Sequence, residues 1–226
     1  MKYLLVAAHP DDEILGAGAT VRKLTKEGHS AALCILCAKA EARAFRPEDD
    51  DLTADMKKSM ALAGFGSCYQ GPFPNIAMNT VPHLELVQFI ENAILQEAPD
   101  VVITHHPADT NNDHLQTSLA CQEAVRLWQR REGMHPVSEL WFMEVPSATD
   151  WSVNTAMEAF RPNVFVEIGK EGVNAKWEAL NAYRGVARSY PHPRSREALE
   201  GLAACRGAQA GCDYAEAFQC VLRRIL

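Results

Sequence analysis

An uninterrupted apolar run, Tyr3-Leu4-Leu5-Val6-Ala7, leads directly into Ala8-His9-Pro10-Asp11-Asp12-Glu13. The run reads as a buried strand. Ile14 to Lys26 reads as the helix that follows, with Ile14, Leu15, Val21 and Leu24 on one side of its wheel. An imidazole and three carboxylates therefore fall in the turn between a strand and a helix, the ligand-binding edge of open α/β sheets. A single Asp there could be only a helix N-cap. Four ionisable side chains crowded into one turn are costly unless a cation or a substrate offsets their charge. A buried strand ending in such a turn constrains the fold more than any other feature of the chain.

The rest of the sequence repeats the alternation. Ser30 to Ala38 reads as a second buried strand, and its Cys34 and Cys37 read as two buried thiols. The polar segment Lys39 to Asp51 leads to a helix over Leu52 to Ala63, stopped by Gly64. Ser67 to Gln70 reads as a short third strand, Gly71 to Asn75 as a loop, and Val81 to Gln96 as an amphipathic helix. Asp100 to Thr104 is β-branched through its core and reads as strand four; Leu115 to Arg130 reads as helix. Strands over Glu139 to Val145 and Asn163 to Ile168, and a helix over Lys170 to Tyr183, complete the pattern. Ser195 can cap a helix running to Arg206, and the apolar tail from Tyr214 can close the sheet or pack on it. The expected fold is α/β: a Rossmann-like three-layer sandwich with a mainly parallel sheet, in one domain over residues 1–226.

With 226 residues and 47% hydrophobic composition, the chain can bury one substantial core. A net charge of −7 with scattered Lys and Arg argues against a nucleic-acid partner. No apolar run approaches the roughly 18 residues that span a bilayer. Without a readable signal peptide, and with seven cysteines, the chain is expected to be cytoplasmic.

A second polar cluster, His105-His106-Pro107-Ala108-Asp109-Thr110-Asn111-Asn112-Asp113-His114, follows strand four. In a doubly wound order 3-2-1-4, strands one and four are neighbours, and the crevice between their carboxyl ends is the switch point. The two clusters should face each other there. Two imidazoles and one carboxylate, with one position left for water, suit a catalytic zinc site, and we assign His9, Asp12 and His114 as its ligands. Asp11, next to a ligand, is the expected general base, and Asp113 could orient a ligand imidazole.

His9-Pro10-Asp11-Asp12-Glu13 together with Asp113-His114 resembles the zinc-dependent N-deacetylase family of LmbE-like and PIG-L-type proteins. Pro146-Ser147-Ala148-Thr149-Asp150-Trp151, Pro191-His192-Pro193-Arg194-Ser195 and Ala215-Glu216-Ala217-Phe218 are also similar to one bacterial branch of it. The resemblance implies one Zn2+ per chain on His9, Asp12 and His114, with Asp11 as base. It also implies hydrolysis of the N-acetyl group of a glucosamine-type sugar. One position departs from the pattern: Asn111 stands where several relatives carry a histidine that stabilises the oxyanion or protonates the amine. His192 is the favoured substitute, with His106, or Asp11 acting twice, as alternatives.

Plainer readings stand beside these. Asp113 could be only an N-cap, Asp109 a turn cap rather than an orienting group, and His105 or His106 a core histidine. Arg43 could bind a substrate hydroxyl, phosphate or carboxylate, or simply be solvated. Glu13 suits a helix N-terminus. Gly16-Ala17-Gly18 lies inside a helix beside carboxylates, which excludes a dinucleotide fingerprint. The expected partner is a small amino-sugar substrate. The alternatives are a metal-binding module without chemistry, or an amidase for a thiol-sugar or other amide. Relatives are often oligomeric, and Trp141-Phe142 or Trp151 could serve a homo-oligomer interface.

Overall fold

Alternate residues of the first strand face opposite ways, and each set is buried against different helices. The computed structural model describes residues 1–42, 45–153 and 157–225, so Arg43 lies outside the described residues. Strand β1 (Lys2–Ala7) directs Tyr3, Leu5 and Ala7 into a core shared with helices α1 (Asp12–Lys26), α2 (Asp49–Ala63) and α5 (Gly169–Asn181). Leu4, Val6 and Ala8 enter a second core, under α3 (His83–Glu97) and α4 (Asn112–Ala124). This is the expected three-layer sandwich.

Among the described residues the sheet has seven strands, in the order β3-β2-β1-β4-β5-β7-β6. Strands β2 (Ser30–Ile35), β3 (Cys68–Gln70), β4 (Val101–His105) and β5 (Glu139–Met143) run parallel with β1. The tail forms β7 (Ala215–Arg223), inserted antiparallel between β5 and β6 (Val164–Glu167). Pairing of Leu5 with Ile103 brings the ends of β1 and β4 level. Helix α6 (Arg196–Ala210) is capped by Ser195, whose side chain accepts from the Ala198 N–H. No helix among the described residues is long and apolar enough to cross a membrane.

Element ends differ from the expectations in instructive ways. Helix α1 begins at Asp12, so two of the turn's carboxylates lie in its first turn, where the helix dipole favours them. Helix α2 begins at Asp49, placing the acidic run Asp49–Asp51 in its first turn for the same reason. Strand β2 ends at Ile35, three residues early, and Cys37 beyond it packs in the same core as Cys34. The helix expected to reach Arg130 ends at Ala124, with a separate 3-10 turn over Leu127–Gln129. Trp141 and Phe142, suggested for an interface, are buried in the sheet's cores; Trp151 is exposed.

Glu216, from one of the motif-like stretches, has a structural task. Its carboxylate accepts from the backbone N–H groups of Ala19 (3.2 Å) and Thr20 (2.7 Å) within α1. The Lys176 ammonium donates to Glu216 Oε1 and to the Leu15 carbonyl, both at 2.7 Å. The buried pair thus ties β7 and α5 to the middle of the helix that follows the charged turn. Lys176→Met should destabilise the fold by about 3–5 kcal/mol, because it leaves a buried carboxylate without its cation. Adding Glu216→Gln should recover part of that loss, read as a shift in the urea midpoint.

Two glycines make a second comparison. A Cβ on Gly71 would stand 2.4 Å from the Leu36 carbonyl oxygen, just past the paired ends of β2 and β3. Gly71→Ala should cost about 1–3 kcal/mol of unfolding free energy. Gly201, in α6 with nothing near its Cβ position, should gain about 0.4–1 kcal/mol on substitution by Ala.

Candidate metal centre

The turn after β1 is shaped by an unusual backbone. Asp11 has φ 106°, a left-handed conformation rare for a residue with a Cβ, and its carbonyl receives the first α1 bonds from Ile14 and Leu15. Glu13 braces it: one carboxylate oxygen accepts from the Asp11 N–H at 2.9 Å, the other meets the Tyr183 hydroxyl at 2.6 Å. Glu13 is fully buried, and burial pushes its pKa up to about 8. It therefore serves the turn, not the cleft.

Asp12 Oδ2 is the meeting point of the two clusters. It accepts from the His9 N–H at 2.9 Å and lies 3.2 Å from both His9 Nδ1 and His114 Nε2. The far nitrogen of each ring is engaged by another carboxylate: His9 Nε2–H donates to Asp113 Oδ2 and His114 Nδ1–H to Asp109 Oδ2, each at 2.9 Å. Asp113 also accepts from the N–H groups of Ile76 (2.5 Å) and Met78 (3.0 Å), so it fixes the loop after β3 as well as the ring. His105 accepts from the Ala8 N–H through Nε2 and stacks on His114 with ring centres 3.8 Å apart.

The charges respond accordingly. Burial disfavours an ionised Asp12, yet the neighbouring imidazoles outweigh it and hold its carboxyl well below the usual range. Burial likewise opposes a charged His114, but Asp12 and Asp109 raise it to about 10. His9 is raised for similar reasons, through Asp113 and Asp12, against its burial. Burial lowers His105 to about 4, so that ring is neutral.

This arrangement passes a chemical test for a cation. With Asp109 and Asp113 each taking a ring proton, the remaining nitrogen of each neutral imidazole would aim a lone pair at the Asp12 oxygen. Only an extra proton or a metal ion resolves that repulsion. Two imidazoles and a carboxylate, the rings oriented by outer carboxylates, form a donor set suited to zinc. Ligand atoms of His9, Asp12 and His114 lie within 4.8 Å of one another, and so do those of His105, Asp109 and His114. Only the first group lines the cleft in full, which favours it.

The cleft has a volume of about 490 Å³. Asp11 and Asn111 line it, with Asn75, Thr110, Asn112 and Ser147 supplying amide and hydroxyl groups. Asn111, not Asp113, is the α4 N-cap: its Oδ1 accepts from the Asp113 N–H at 2.9 Å. His106 turns away, edge-on to Phe142 and Phe160, with its Nδ1 accepting from the Ala108 N–H. His192 is exposed, does not line the cleft, and accepts from the Arg194 N–H through Nδ1. The loop expected to deliver His192 instead delivers Arg194, whose Nη1 donates to Asp11 Oδ2 and whose Nε donates to Ser147 Oγ, both at 3.1 Å. Nothing local in Pro191–Ser195 says which side chain turns inward, and Ser147 meets Arg194 only across a separation of 47 residues.

Known proteins resemble this chain in sequence and in fold. The chain is 26% identical to YaiS of Escherichia coli K12, an uncharacterized deacetylase, over 189 residues that cover 80% of this chain and 89% of the relative. Its fold matches the N,N'-diacetylchitobiose deacetylase of Pyrococcus horikoshii with a TM-score of 0.77 and 20% identity, over 98% of this chain and 84% of that one. GalB, the 4-carboxy-2-hydroxymuconate hydratase of Pseudomonas putida KT2440, has the same fold at TM-score 0.78 and 21% identity, over 100% and 98% of the chains. Residues 4–125, a stretch holding His9, Asp12 and His114 with their outer carboxylates, match the family described as PIG-L: GlcNAc-PI de-N-acetylase, and the chain belongs to it.

Proposed function

We propose that residues 1–226 form one metal-dependent hydrolase domain that removes an N-acetyl, or similar short N-acyl, group from an amino sugar or its conjugate. The observation that carries this reading is the pair of braced imidazoles converging on Asp12 beside the Asp11 carboxylate. His9, Asp12 and His114 would hold the ion, zinc by donor type, which when bound would polarise an amide carbonyl and acidify water.

The chain's own residues account for the remaining steps. Asp11 accepts a proton from the attacking water and, as the C–N bond breaks, returns it to the departing amine. That assignment follows from placement: His106 and His192 do not line the cleft, whereas Asp11 does. Asn111 uses Oδ1 to cap α4, which leaves its Nδ2–H2 as a donor for a substrate oxygen. Water and amide thus yield carboxylate and the protonated amine. The amide and hydroxyl groups around the cleft suit a polyhydroxylated substrate.

Acetate release from a panel of N-acetylated amino sugars tests the reading, with metal content measured on the same samples. Asp11→Asn should fold and keep its metal, because Asn tolerates a left-handed backbone, yet lose at least about a hundredfold in kcat. His114→Ala should lose metal and turnover together. An ion-loaded wild-type chain that is silent across the panel would sink the deacetylase reading.

A further inference from the structure

The family match ends at residue 125, but the cleft beside Asp11 is completed by residues from the second half of the chain. Arg194 stands out among them because its side chain is not needed for the shape of its own loop. That loop is fixed by Arg188 N–H to the Arg194 carbonyl (3.3 Å), His192 N–H to Ser189 (3.2 Å) and Ser195 N–H to His192 (2.9 Å). Arg194 N–H to His192 Nδ1 (3.0 Å) and the Ser195 cap on Ala198 (3.1 Å) complete the set. The guanidinium spends its described contacts at the cleft instead, on Asp11 and Ser147.

We propose that Arg194 is a positioning residue for the reaction, acting through Asp11. This rests on Asp11 being the base. The Nη1–H contact restrains the Asp11 carboxylate against turning about its last bond. Ser147 holds the guanidinium from its other end, so the donor plane is fixed at two points. Arg194 also brings a permanent positive charge to a cleft where Asn111 offers only a neutral amide. A lysine could supply the charge but not the planar two-point grip.

The test compares Arg194→Ala and Arg194→Lys with the wild type, all metal-loaded. In Arg194→Ala, kcat should fall about a hundredfold while KM stays within about threefold and metal content is unchanged. Arg194→Lys should recover only part of the loss, and added guanidinium ion should rescue Arg194→Ala where ammonium does not. Amide hydrogen exchange over residues 189–195 should be unchanged. A kcat within twofold of wild type, a loss confined to KM, or faster exchange in that loop would overturn the proposal. Should the wild type itself release no acetate, the deacetylase reading fails on its own. Crystals of Arg194→Ala then decide this inference: an Asp11 carboxylate turned away from its wild-type place supports it, and one that has not moved overturns it.

Discussion

The site depends on one carboxylate oxygen. Asp12 Oδ2 takes the His9 amide and faces a nitrogen from each of two rings, one from either end of a span of about a hundred residues. Burying that oxygen is tolerable only because positive charge converges on it. Asp109 and Asp113 direct that convergence by fixing which nitrogen of each ring points inward. The level ends of two adjacent parallel strands make the meeting possible, since β1 delivers His9 and Asp12 and β4 leads to α4, which carries His114 in its first turn.

Around this centre the remaining polar groups divide into those that hold the backbone and those that face the cleft. Glu13, one residue from Asp12, is occupied by the Asp11 amide and Tyr183. Glu216 and Lys176 secure the middle of α1 from the far side. The left-handed backbone of Asp11 is strain kept in place by these supports, at a cost of about 1–3 kcal/mol, and it turns the carboxylate toward the open side.

A shared fold does not decide chemistry. A hydratase and a deacetylase both overlay on this chain with similar fidelity. What the present site offers chemically is particular: an N-capping Asn111 in the cleft wall, a carboxylate held by Arg194, and a lining rich in amides and hydroxyls. These features bear on the reaction more directly than the sheet order does.

Local pattern determined much of this protein. Apolar runs of strand length alternating with amphipathic helices set the layered sheet, because burial on two faces leaves few other solutions. The crowding of His9, Asp11 and Asp12 in one turn marked the site, because adjacent charges need a counter-charge whatever the fold. Residues that act through long-range contacts were decided only by tertiary structure. His192 looked suited to the cleft, yet its loop turns Arg194 inward, and that choice is made by hydrogen bonds among Arg188, Ser189, His192 and Ser195 that no spacing rule encodes. Likewise, the stretch around Glu216 does not announce its task, which exists only because β7 inserts between β5 and β6 and brings a carboxylate against α1.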